Sequence, residues 1–275
     1  MNDRIKNVLR CPVCGAAFGI ENDGKSLMCL GEKKRHCYDL SSSGYVNFAP
    51  PSQSRSGDSK EAVRSRTGFL NSGFYANVRE AVLDAVKRYA AGGIVIDAGC
   101  GEGYYSSALA EVADGVIGFD LSKFGVETAA KRTKGKENAF FGVAGIYDMP
   151  LFDACADAVV NIFAPCATDE FKRVLTKNGV LIAVGAGKNH LLGLKQAIYD
   201  EAYTNDDRED MPPDMTLVEE INVSYEITLS GNQQIADLFS MTPYYYRTGD
   251  KDMEKLRRLE SITTPVDVFV RVYKK

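Results

Sequence analysis

The apolar run Ile94-Val95-Ile96 has strand length, ends in the acid Asp97, and passes at once into three glycines at alternate positions, Gly99, Gly101 and Gly103. Tyr104-Tyr105 then opens a helix-compatible stretch, so the chain is committed to a strand-loop-helix unit. Glycines at this spacing let backbone approach a ligand where a Cβ would collide with it. The pattern is G-x-G-x-G rather than the G-x-G-x-x-G of dinucleotide folds, and no Lys-Ser/Thr pair follows to hold a triphosphate and Mg²⁺. A loop without phosphate-binding features suits a cofactor without phosphates, and S-adenosylmethionine is one. Asp97 is expected to hold its ammonium group, with Gly99, Gly101 and Gly103 letting the backbone approach its amino-acid tail. A second acid is expected at the end of the next strand to accept the ribose hydroxyls. Val116-Ile117-Gly118-Phe119 supplies it as Asp120, seventeen positions after Gly103.

Strand and helix patterns alternate from this point. Strands are predicted near 94–98, 116–120, 139–143, 157–163 and 179–184, with helices near 103–113, 123–132, 168–175 and 190–202. That rhythm predicts a doubly wound, parallel sheet with the ligand at the carboxyl ends of the first two strands. Upstream, 61–69 and 76–90 pattern as helices. Downstream, 220–227 and 266–272 alternate in period two as late strands, with helices predicted at 236–239 and 251–259 between them. Pro212-Pro213 and the acidic stretch 206–210 mark a loop.

A chain of 275 residues with 45% hydrophobic content has room for one large domain and a small one. It has no uninterrupted apolar run of about 18 residues and no apolar signal core, so no membrane partner is expected and the predicted location is cytoplasmic. Seven cysteines without an export signal point to metal or thiol chemistry in a reducing compartment. The net charge of −4 gives no global pull on nucleic acid, so RNA binding would rest on local basic patches.

Four of the cysteines fall within residues 11–37. Cys11-Pro12-Val13-Cys14 is a C-x2-C knuckle, and Cys29 follows after fourteen intervening residues, a spacing typical of small zinc modules. His36 and Cys37 are adjacent, and both cannot easily point at one tetrahedral metal, so either can be the fourth ligand. A segment this short has too little core to fold unaided, and structural zinc would supply the deficit. Lys33, Lys34, Arg35, Arg55, Lys60, Arg64 and Arg66 surround the module and the linker-like 50–60, and Tyr38, Tyr45 and Phe48 interleave with them. That is the combination needed for phosphate contact and base stacking, while the aromatics can equally serve the module's own core. Cys100, Cys155 and Cys166 read as small apolar fillers.

Taken together, these stretches resemble the 23S rRNA guanine-N1 methyltransferase family, which includes macrolide-resistance enzymes. The resemblance rests on Cys11-Pro12 and Cys14; Arg35-His36-Cys37-Tyr38-Asp39; Gly44-Tyr45-Val46-Asn47; Gly57-Asp58-Ser59; Gly73-Phe74-Tyr75; Asp97 to Tyr105; Ala164-Pro165-Cys166; His190-Leu191 with Leu194-Lys195; and Met241-Thr242-Pro243. It implies an α/β class I methyltransferase fold, doubly wound on a mostly parallel seven-stranded sheet and preceded by a zinc-binding module. The implied division is a module at 1–48, a linker and cofactor-side segment at 49–75, and a methyltransferase domain at 76–275. It implies zinc ligation by Cys11, Cys14, Cys29 and His36, although the six residues between Cys29 and His36, and the neighbouring Cys37, depart from the family pattern. Cofactor contacts are implied for Tyr75, Gly101, Glu102 and His190. The implied partner is 23S rRNA, with a homodimer as an option.

Methyl transfer to guanine N1 needs in-line alignment, exclusion of water and a route for the N1 proton. The stretch Asn161-Ile162-Phe163-Ala164-Pro165-Cys166 stands where this fold holds its target and lacks the Asn-Pro-Pro-Tyr pattern used for exocyclic amines. Phe163 can stack on a base or pack in the core. Asp148, Asp169 and His190 are the candidate bases. Two other readings compete: methylation of a small metabolite with the zinc module structural, and a non-enzymatic zinc-bearing RNA-binding protein.

Overall fold

The computed structural model describes residues 1–32, 34–50, 57–205 and 212–275. Lys33, Arg55 with the linker segment 51–56, and the acidic stretch 206–210 lie outside the described residues.

The chain opens with helix α1 (Asp3–Val8), capped by Asn2, whose side chain accepts from the Ile5 N–H, and then forms a small antiparallel sheet of β1 (Phe18–Glu21), β2 (Ser26–Cys29) and β3 (Cys37–Asp39). A two-residue strand, β4 (Val46–Asn47), follows. Helices α2 (Lys60–Asn71) and α3 (Ala76–Ala90) lead into the alternating part, and α2 begins where the Ser59 hydroxyl accepts from the Ala62 N–H. That part runs β5 (Ile94–Ala98), α4 (Tyr104–Leu109), β6 (Gly115–Asp120), α5 (Lys123–Arg132), β7 (Ala139–Val143), β8 (Ala156–Ile162), α6 (Thr168–Val174), β9 (Leu175–Ala186) and α7 (Leu192–Ile198). The chain finishes with β10 (Thr216–Ser230), α8 (Asn232–Ser240), α9 (Asp250–Arg258) and β11 (Ser261–Lys274).

The main sheet has the order β10-β11-β9-β8-β5-β6-β7-β4, and β11 runs antiparallel to both of its neighbours while the other pairs are parallel. Seven of these strands are the expected class I methyltransferase sheet. The eighth, β4, corrects the expected count: Val46 and Asn47 pair in parallel with Gly142 and Val143, so the N-terminal segment is hydrogen-bonded onto the sheet edge. Gly142 permits this approach, since a Cβ there would lie 2.8 Å from the Phe119 ring and 2.9 Å from Phe48.

The same joint appears in the packing. Ile5, Leu9, Phe18, Leu27, Val46 and Phe48 share one buried cluster with Ile94, Ile96, Ile117, Phe119 and Phe140 of the sheet. Phe48 touches Phe18, Tyr38, Phe119 and Phe140 at ring-centroid distances of 5.2–6.5 Å. Tyr45 and Phe48 are buried, so both serve the core and neither is free to stack on RNA. On the other face, α2 and α3 pack with the β9, β10 and β11 side chains in a second cluster.

After β7 the chain crosses to the other side of β5 and enters β8. The crevice at the carboxyl ends of β5 and β8 is therefore the point where strand order reverses, the place where open α/β sheets bind ligands.

Candidate functional site

Two loops meet at that crevice. The loop after β5 holds Gly99, Gly101 and Gly103 at φ of +84°, +51° and +80°, a region L side chains rarely enter, and helix α4 starts directly after the last of them. A Cβ on Gly103 would lie 2.6 Å from Ala129 of α5, and one on Gly99 would lie 2.9 Å from Ala164 in the loop after β8. The glycines thus set both the turn and the closeness of its walls. The Gly99 and Cys100 N–H groups donate to Phe119 O at 2.8 and 3.0 Å, tying the loop to the end of β6.

The acids sit where the sequence placed them. Asp97 is 2% exposed. Burial pushes its carboxyl up to about 7, despite the hydrogen bond donated by the Ser106 hydroxyl, and the charges of Asp120 and Glu102 push the same way. Asp120 accepts from the Gly101 N–H at 3.0 Å and the Ser122 N–H at 2.7 Å, which orients the carboxylate and leaves lone pairs on both oxygens for further donors. Burial raises its pKa as well. Glu102 is buried beneath Arg132, which pairs with Oε2, while Oε1 has no partner. Burial raises the Glu102 pKa against the pull of Arg132.

Arg66, expected in a basic surface patch, turns inward instead. Arg66 of α2 pairs with Asp58, and its Nη1 lies 3.6 Å from where a Gly101 Cβ would be. Gly57 rests on the end of β6 so closely that a Cβ would meet the Ser122 N at 2.4 Å. The only sequence signal for this was the helix start at Ser59 with an arginine seven residues on.

On the β8 side, Tyr75, Phe163 and His190 form a cluster of rings. Tyr75 Oη and His190 Nε2 are 3.3 Å apart, and Phe163 lies nearly parallel to His190, 20° between planes and 5.6 Å between centroids. His190 Nδ1 accepts from the Asp267 N–H at 3.2 Å, which places the ring proton on Nε2, facing Tyr75. Burial holds the imidazole neutral, down to about 4. The Tyr75 hydroxyl is fully buried, and its pKa is pushed up by that burial. It accepts from His190 and keeps its own proton to donate. Phe163 is 45% exposed at φ +50°, so its ring is an open ledge and not core.

The other proposed bases lie apart. Asp148 is exposed and paired with Arg10 at 3.6 Å. Asp169 is exposed in the first turn of α6. No described contact joins either to the rings. Cys100 is buried, Cys155 half-buried, and Cys166 exposed, so the last is no core filler.

In the N-terminal module, one ligand atom each from Cys11, Cys14, Cys29 and His36 lies within 4.8 Å of all the others. Cys14 Sγ and Cys29 Sγ are 3.7 Å apart, and His36 Nδ1 is 3.3 Å from Cys29 Sγ and 3.6 Å from Cys11 Sγ. A zinc tetrahedron with ordinary bond lengths has S···S edges of about 3.8 Å and S···N edges of about 3.6 Å, so the donor set fits that metal. Burial pushes the Cys29 thiol up, but N–H groups of His36 and Gly31 and the His36 ring outweigh it and bring it to about 6. Cys37 faces away on β3, exposed, with its Sγ 3.7 Å from Asp39 Oδ1.

A methyltransferase-domain family model matches residues 90–236, the stretch containing both crevice loops. The chain is 31% identical over 205 residues to the 23S rRNA (guanine(748)-N(1))-methyltransferase of Streptomyces fradiae, covering 72% of this chain and 70% of that protein. It is 30% identical over 281 residues to YxjB of Bacillus subtilis (strain 168), whose name assigns it provisionally as a 23S rRNA (guanine-N(1)-)-methyltransferase, covering 97% and 96%. The chain belongs to the 23S rRNA (guanine-N1)-methyltransferase family. The family fold is also seen in its likeness to the YcgJ protein of Bacillus subtilis, with a TM-score of 0.51 at 15% identity over 71% of this chain and 98% of that one. As a member of the family, the chain carries a methyltransferase domain of the kind that uses S-adenosylmethionine, and its cradle, where a Cβ on Gly99 or Gly103 would collide with the walls, fits such a cofactor there. Among the described residues no helix is long and apolar enough to cross a membrane.

Proposed function

We propose that this chain transfers a methyl group from S-adenosylmethionine to N1 of a guanine in 23S rRNA. The observation that carries the reading is the extent of the likeness to YxjB, which runs through the N-terminal module as well as the methyltransferase domain. A small-molecule enzyme would need only the second.

The cofactor supplies an electrophilic methyl on a sulfonium. Asp97 would accept its ammonium group, Asp120 its ribose hydroxyls, and the backbone of Gly99, Gly101 and Gly103 would lie along its tail. Tyr75, held neutral and given its acceptor bond by His190, is a pre-oriented donor for a cofactor oxygen. Glu102 acts from beneath, bracing the loop through Arg132. Phe163 offers a face on which the guanine can stack once out of its helix, worth about 1–3 kcal/mol. His190 carries its proton on the nitrogen facing the site, so it orients Tyr75 and is not the base. The N1 proton leaves by solvent or by a base brought in with the RNA.

Cys11, Cys14, Cys29 and His36 would hold a structural zinc, with Cys37 outside the set. The functional division is a module at 1–48, a cofactor-side segment at 49–75 that includes the Asp58 and Arg66 cover, and a transfer domain at 76–275. The deciding experiment is mass spectrometry of nucleosides from 23S rRNA of cells with and without the gene. The expected result is 1-methylguanosine that disappears on deletion and returns with the wild-type gene. An unchanged level, with S-adenosylmethionine still bound by the protein, would move the activity to a small metabolite.

A further inference from the structure

A second cleft, of about 520 Å³, lies away from the crevice, at the seam between the N-terminal module and the sheet. Its walls are two tight turns. On the module side is 41–44, closed by the Gly44 N–H donating to Ser41 O; opposite it is 133–136, closed by the Lys136 N–H donating to Thr133 O. Each turn carries a glycine at positive φ, Gly44 at +90° and Gly135 at +89°, with open space where a Cβ would be. The N–H groups of Ser42, Ser43 and Gly135 donate to no carbonyl among the described backbone bonds. Lys25 and Lys134 line the cleft with exposed ammonium groups that pair with no described acid, and no carboxylate is among the lining residues. Lys136, also in the lining, is drawn to Glu111 at 3.5 Å, and Glu127 of α5, paired with Lys131 at 2.7 Å, also accepts from the Ser43 side chain at the edge of the cleft.

We infer that this cleft seats the phosphodiester backbone of the RNA substrate, with Lys25 and Lys134 neutralising phosphates and the two turns offering amide and hydroxyl donors. The inference rests on the RNA-methyltransferase reading above. A chain of net charge −4 needs a local basic surface to hold RNA, and this cleft has no carboxylate in its lining, with Glu127 and Glu111 reaching only its Ser43 and Lys136 edges. Its cations are exposed and spread across an open seam, which suits a passing backbone; a free phosphate would call for a closed pocket with buried donors.

The test compares the full-length, metal-loaded wild type with a Lys25→Ala/Lys134→Ala variant in binding a 23S rRNA fragment over a range of salt. The expected result is a 3- to 10-fold loss of affinity, roughly, and a fall of about 1–2 in the log-log salt slope, with S-adenosylmethionine affinity unchanged and the Lys25→Arg/Lys134→Arg variant near wild type. A Ser42→Asp variant should weaken binding in the same direction. An unchanged slope in the folded alanine variant overturns the inference. So does lysine-dependent binding of inorganic phosphate with no change for RNA, which would mark a small-anion site. If the wild type methylates guanine N1 and the alanine variant has the wild-type slope, the cleft proposal alone falls; if the wild type binds no RNA, both fall.

Discussion

The N-terminal module and the crevice at β5 and β8 are both candidate ligand sites, built in opposite ways. The module's four donor atoms converge from two turns and a short hairpin, on a segment with little core of its own, and the fit to a metal is set by local chain geometry. The crevice has no convergent donors until the whole sheet is formed, and its acids are held at a cost: Asp97 and Asp120 are buried with raised pKa values because few cations offset their charge. The first site would draw stability from a bound metal, and the second spends stability to be ready for a ligand.

The largest effect should come from breaking the module. Cys29→Ser or His36→Ala should abolish stoichiometric zinc, and the shared core should carry the damage into the sheet. The expected loss is about 3 kcal/mol, or roughly 6–12 °C in Tm, seen as one shifted transition in calorimetry. Two separate transitions would mean that the module melts alone.

Next is Asp97→Asn, which should act oppositely on binding and on stability. Cofactor affinity by calorimetry should drop about 10- to 100-fold from the lost charged hydrogen bond. In the cofactor-free wild type the folded carboxyl titrates near 7 and the unfolded one near the ordinary value of 3.8, so the folded state holds an extra proton between them. Wild-type stability therefore falls relative to the variant as pH rises through that window, and at pH 8 the variant should be the more stable. Wild-type affinity for the cofactor should rise with pH up to about 7 and then level off.

Phe163→Ala should reduce kcat/KM for RNA by about 10-fold with a smaller effect on cofactor affinity, since one face of the ring is exposed and the other covers His190 and Tyr75. The smallest effect is Cys37→Ser, with zinc content and Tm within error of wild type. Metal loss there, with His36→Ala retaining zinc, would reverse the ligand choice.

The difference between the regions also explains what was legible in the sequence. The β5 loop, Asp120 and the alternating strands could be read because period and glycine spacing are local signals, and Cys11, Cys14 and Cys29 could be read for the same reason. The choice between His36 and Cys37 could not, because it depends on which way β3 turns its side chains. Arg66 looked like part of a surface patch, since nothing local reveals that α2 lies over the glycine loop. Strand β4 is not legible because two residues carry no period, and its partner is 96 positions away, Val46 against Gly142. Phe163 is not legible as core or ledge from its neighbours in sequence, because its exposure is set by the turn after β8.

The pairing of β4 with β7 gives the molecule a fixed internal length. A module joined only by a flexible tether could grip RNA at any distance from the crevice, leaving the choice of base to the crevice alone. With the module's last strand laid into the sheet edge, an RNA gripped at the seam as proposed would present one fixed stretch of nucleotides to Phe163. The guanine would then be chosen as by a ruler, by how far it lies from the point of grip.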